Sequence, residues 1–148
     1  MAKSDGLRSS NRVSISKSVH QLYKDLSERS IKNPTDAPFL LMKDVFMFAF
    51  ALGVYTNKRR SLTGGKEQIF RWDQFSQDRD IPALKAVAVA ETGDVEVLAH
   101  EDEILRIAEE YANAGIHELK LEVVDRPGQE LWNLVNIIRE CTMSHGQT

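Results

Sequence analysis

The sequence predicts a mainly α protein, a single compact helical domain that opens with one short β-strand and has room for one or two further short strands. Three observations carry this. Apolar residues recur at helical spacing through most of the 148 residues. Gly, Pro and Asn fall between those periodic stretches, where helices must stop. Only RVSIS, residues 12–16, alternates with the two-residue period of a strand. A composition of 42% hydrophobic and 28% charged residues belongs to a globular chain able to bury a core. The expected organisation is a flexible tail over residues 1–11, the helical domain over 12–142, and a frayed end over 143–148.

In RVSIS, Val13 and Ile15 face one way and Arg12, Ser14 and Ser16 the other. Ser16 or Ser18 can cap a following helix whose apolar positions are Val19, Leu22, Tyr23 and Leu26. That helix should fade near Ser30, because Asn33-Pro34 and Ala37-Pro38 are breakers. A second helix is expected from about Phe39 to Leu52, with Gly53 as a left-handed C-cap. It is apolar on nearly every side, which places it at the centre of the core or in an oligomer interface.

A basic loop follows, and the aromatic cluster IFRWDQF (Ile69 to Phe75) should anchor it to the core. Ile81 to Ala90 reads as a buried helix stopped by Thr92-Gly93-Asp94, and Val95 to Leu98 is too short to assign. Glu101 to Ala114 is a helix with Ile104, Leu105, Ala108, Tyr111 and Ala112 inward, with Asn113-Ala114-Gly115 as its stop signal. Ile116 to Val124 fits either a helix or a strand. After Pro127-Gly128, Leu131, Leu134, Val135 and Ile138 give an amphipathic helix.

The greasiest run, Phe39 to Val54, is broken by Lys43 and Asp44 and falls short of the ~20 apolar residues a bilayer span needs. No apolar export signal opens the sequence, and Cys141 is the one cysteine, which excludes an internal disulfide and fits a reducing cytoplasm.

Charge is divided along the chain. Residues 1–66 hold twelve Lys and Arg against five Asp and Glu, a net +7, while residues 67–148 hold seven against seventeen, a net −10. The front segment suits a polyanion and the rear suits a different partner, or simply keeps the protein soluble. The densest positive stretch is GVYTNKRRSLTGGKEQ, residues 53–68. It is not a nucleotide-binding P-loop. Position 60, where that motif needs Gly, is Arg60, and Glu67 takes the place of the magnesium-binding hydroxyl. A flexible Thr-Gly-Gly turn bracketed by Lys58, Arg59, Arg60 and Lys66 can instead follow a phosphate backbone. The strand-first start is similar to that of ribbon-helix-helix domains, in which strands from two subunits pair and enter the major groove. The connection over residues 32–38 is longer than that pattern has, and its second helix is greasier.

Catalytic signatures are sparse. His20, His100, His117 and His145 are scattered without zinc-binding spacing. His100-Glu101-Asp102-Glu103 suits a helix N-terminus, where negative charge is favoured. Glu118-Leu119-Lys120, preceded by Asp94 or Asp102, has the minimal skeleton of a magnesium-dependent nuclease, but only if Glu118 and Lys120 lie on a strand. No catalytic residue, metal ligand or cofactor is therefore assigned.

The segments KDVFMFAFALGVYTNKRRSL, AETGDVEVL and EEYANAGIHEL together resemble a family of small bacterial proteins encoded beside DNA phosphorothioation (Dnd) systems, the DNA phosphorothioation-associated protein 4 family. The resemblance runs from about Arg12 to Ile138 and carries no catalytic motif. It implies a setting in phage defence or restriction linked to sulfur-modified DNA, with DNA or a DNA-bound protein complex as partner. The expected role is a non-enzymatic DNA-binding accessory whose Arg12, Lys17, Lys58, Arg59, Arg60 and Lys66 meet phosphates. The alternatives are a homodimeric adaptor that contacts larger proteins of the system and not DNA, and the magnesium nuclease.

Overall fold

The computed structural model describes residues 11–27 and 37–145. Residues 1–10 of the expected tail over 1–11, the fading of the first helix near Ser30 and the Asn33-Pro34 break lie outside the described residues; Asn11, the last of that stretch, is held by Nδ2 donating to Glu101 Oε2 at 2.6 Å. Within them, five helices and two strands run in the order β1 (Arg12–Ser16), α1 (His20–Ser27), α2 (Met42–Thr56), β2 (Lys66–Arg71), α3 (Asp80–Thr92), α4 (Glu101–Leu119) and α5 (Glu130–His145). Short 3-10 turns at Lys17–Val19, Trp72–Gln74 and Val95–Ala99, and a π-helical turn at Lys120–Val124, join them. The mainly α class and the N-terminal strand thus agree with the expectation. Among the described residues, no helix is long and apolar enough to cross a membrane.

β1 alternates as its sequence requires, burying Val13 and Ile15. Its partner strand belongs to the same chain. β2 pairs with it antiparallel, Arg12 opposite Arg71 and Ser16 opposite Lys66, with a bulge between Val13 and Ser14. The two-subunit ribbon of a ribbon-helix-helix domain is therefore replaced by an internal one. Ser14 N–H is also engaged, donating to Glu109 Oε2 of α4 at 2.8 Å. Ser16 does not cap α1; its hydroxyl donates to Asn113 Oδ1 at 3.1 Å.

α2 and α4 form the central pair, and two glycines decide how close they come. Gly53 lies inside α2, not at its end. A Cβ there would overlap the backbone oxygen of Tyr111, and one at Gly115 in α4 would overlap that of Ala49. The C-cap of α2 is Asn57, in the left-handed region at φ 57°. For the same reason Asn113-Ala114-Gly115 does not stop α4. Gly115 is a contact residue, and the helix continues to Leu119, making the ambiguous segment helical. The aromatic anchor forms as expected: Phe70 meets Phe46 and Phe75 edge-on, with centroids 5.8 and 5.3 Å away. Thr92-Gly93 does stop α3, with Gly93 at φ 69°. α5 turns Asn133, Leu134 and Ile137 inward and leaves Ile138 exposed, one position out of phase with the expected stripe.

Candidate nucleic-acid interface

The loop from Lys58 to Gly65 leaves α2 and is laid along α4 before entering β2. Backbone and side-chain bonds hold it there. Lys58 N–H closes the end of α2 on Gly53 O at 2.9 Å, and Arg60 N–H donates to Glu110 O at 3.0 Å. Asn113, buried in α4, donates from Nδ2 to the carbonyls of Arg60 (3.2 Å) and Ser61 (3.1 Å) while its Oδ1 accepts from Ser16. Lys17 N–H then donates to Gly65 O at 3.1 Å. Gly65 stands at φ 101°, with the Lys17 side chain running past it. One buried amide thus ties the basic loop to the end of β1, and Lys17, Arg60 and Lys66 gather around it.

Those three side chains and Lys58 are exposed, and among the described residues none of them is in an ion pair. Arg12 is exposed as well but lies at the other end of the ladder opposite Arg71, about 13 Å along the strand at ~3.3 Å per residue. The sixth candidate differs. Arg59 folds inward, its Nε and Nη2 donating to Glu110 Oε1 at 3.1 and 2.6 Å and its Nη1 to Glu91 Oε2 at 2.6 Å. The guanidinium also lies 5.6 Å from the Tyr111 ring centroid, and Tyr111 OH donates to Glu91 at 2.5 Å. Burial works against its charge, but the bonds to Glu110 and Glu91 outweigh that and raise its pKa above the ordinary arginine value. Tyr111 and Arg59 in turn lower the pKa of Glu91. Glu110 continues the chain of charges to Arg106, which also binds Glu103. Arg59 therefore fastens the loop to α3 and α4, and its charge is spent on carboxylates. The front cations do not all share one face.

Two further groups border this cluster: Glu109, which the sequence did not single out, and His117, weighed there only as a zinc ligand. Glu109 is half-buried beneath β1. Burial pushes its pKa up to about 7, opposed by the Ser14 N–H bond and by nearby Lys66. His117, one turn beyond Asn113, has its pKa lowered by burial, then by the charges of Arg60 and Lys120. Their sequence signal was a polar residue on the otherwise apolar inner side of α4.

The nuclease skeleton is not assembled. Glu118 and Leu119 end α4 and Lys120 opens the π turn, so the required strand is a helix. Lys120 Nζ pairs with Asp125 at 2.9 Å, and Asp94 accepts from Glu96 N–H at 2.9 Å in capping its own turn. Among the described residues no three His, Cys, Asp or Glu side chains are grouped to hold a metal ion.

The fold is thus a small helical protein with an internal two-stranded ribbon and a cationic corner where that ribbon meets α4. Residues 12–147 match the family described as DNA sulphur modification system-associated protein 4, and the chain belongs to that family. Neither the curated proteins nor the solved structures gave a match.

Proposed function

We propose that this protein is a non-enzymatic DNA-contacting accessory of a DNA sulphur modification system, working in restriction or phage defence. The family supplies the setting. The observation that carries the reading is the convergence of Lys17, Arg60 and Lys66, exposed and without ion pairs among the described residues, around the Asn113 bonds. Lys58 and Arg12 flank this corner. Arg59 is left out of the contact set, because its fork is already filled by Glu91 and Glu110. Such a corner can meet a phosphate backbone without reading base edges.

The test is duplex binding by fluorescence anisotropy at low salt. Replacing Lys17, Arg60 and Lys66 with alanine should weaken binding to about the same degree for every duplex sequence. No binding by the unmodified protein at micromolar concentration, or equal binding by the triple variant, overturns the reading.

A further inference from the structure

Beneath the cationic corner, α4 carries three polar residues spaced one turn apart, Glu109, Asn113 and His117, along the side that meets the ribbon and the basic loop. Asn113 holds the loop, and Glu109 holds the strand. The Glu109 Oε2 accepts from Ser14 N–H at 2.8 Å, at the bulge where β1 slips register against β2. Ser14 lies two residues along β1 from Ser16, which stands opposite Lys66, a separation of roughly 7 Å. A carboxyl group is therefore built in under the side chains assigned to phosphate.

Four elements act on that carboxyl. Burial is the largest influence against its charge, and Glu110 of α4 adds like charge; the Ser14 N–H of β1 and Lys66 of β2 favour the ionised form. From α1 comes the Tyr23 hydroxyl, fully buried and without a hydrogen-bond partner among the described residues. Burial and then the Glu109 charge raise its pKa, so it stays neutral. The charge on Glu109 is thus weakly held, in a place where a change of charge is felt by the corner above it. We infer that Glu109 couples DNA contact to proton uptake: ionised, it offsets part of the corner's positive charge from beneath, and neutral, it leaves that charge to the phosphates. The inference rests on the DNA contact proposed above and adds to it a dependence on pH.

The sign follows from the charges. A phosphate at the corner disfavours the ionised carboxyl, so the Glu109 pKa, about 7 in the free protein, rises in the complex and affinity strengthens as pH falls through that value. One phosphate ~10 Å away at an effective dielectric of ~40 changes affinity about fourfold between the two forms. Spread over the titration, that gives binding about threefold tighter at pH 6 than at pH 8. His117 also gains charge on acidification, but burial and then Arg60 and Lys120 hold its pKa below the ordinary value, so its effect falls at lower pH.

The test is fluorescence anisotropy of the full chain with one labelled duplex at low salt, at pH 6 and pH 8. Glu109→Gln keeps an oxygen that can accept from Ser14 N–H and removes the charge. It should bind about threefold tighter than the unmodified protein at pH 8, equal it at pH 6, and lose the pH dependence. His117→Gln should retain that dependence. Calorimetry of the unmodified protein at pH 7, in two buffers of different ionisation enthalpy, needs no variant and should show uptake of about a third of a proton per duplex contact. Binding that is equal at both pH values, a dependence that survives Glu109→Gln or vanishes in His117→Gln, or binding without proton uptake overturns the inference and leaves DNA contact standing. No duplex binding at either pH overturns both.

Discussion

Arg59 and Arg60 are neighbours of identical chemistry that the structure uses in opposite ways, so replacing each in turn tests the fold at single-residue resolution. Arg59 is 25% exposed and grips Glu110, 16% exposed, through two nitrogens of one fork. A partly buried charged pair in which two nitrogens share one carboxylate oxygen contributes about 1.5 kcal/mol. The third bond reaches Glu91, 34% exposed, where solvent screening leaves only about 0.3 kcal/mol. Stacking on Tyr111 adds roughly 0.5 kcal/mol. Arg59→Ala should therefore cost about 2 kcal/mol, a fall in Tm of about 4–8 °C for a chain of this size. Arg60→Ala, which removes an exposed side chain and keeps the backbone bond to Glu110, should stay within about 0.5 kcal/mol of the unmodified protein. Arg59→Lys should recover only part of the loss, because an ammonium cannot reproduce the fork. Differential scanning calorimetry reads all three. Equal small shifts for Arg59→Ala and Arg60→Ala would refute the latch.

Glu109 should make stability fall as pH rises. Its folded pKa, about 7, lies above the unfolded value of 4.5, so its carboxylate is no penalty below pH 4.5 and costs progressively more up to about pH 7. That gap corresponds to about 3 kcal/mol, so Glu109→Gln should gain up to that amount at pH 8 and nothing at pH 4, measured by denaturant titration; a gain independent of pH would contradict it. Gly115→Ala should cost about 3 kcal/mol or prevent folding, because the opposing atom is the backbone oxygen of Ala49. Gly93→Ala, with open space around it and only a positive φ to bear, should cost about 1 kcal/mol. Thermal melts of the two variants check the ranking.

The elements legible in the sequence were those whose signal is local. Alternation in RVSIS gave the buried pair Val13 and Ile15, Gly93 gave the end of α3, and the acidic run after His100 gave the start of α4. What misled was residues with two uses. Gly53 and Gly115 have the composition of helix ends, yet they serve a close helix crossing, and only the partner helix reveals that. Ser16 has the chemistry of an N-cap but bonds Asn113, ninety-seven positions away. At the candidate site the basic residues were visible one by one. Their division was not, because Arg59 is claimed by Glu91 and Glu110 on two helices distant in sequence. The internal pairing of β1 was hidden similarly, since KEQIFR shows no clear strand period before its partner is known.

The salt dependence of duplex binding tests the central claim most directly. Each phosphate contact contributes about −0.9 to the slope of log K against log salt, so Lys17, Arg60 and Lys66 together give about −2.7 and an affinity drop of roughly 40-fold from 50 to 200 mM. Lys17→Ala, Arg60→Ala and Lys66→Ala should each flatten the slope by about 0.9, and Arg126→Ala, already paired with Glu122 four residues before it, should leave it unchanged. A slope that none of the three replacements alters would contradict the account, whatever the absolute affinity.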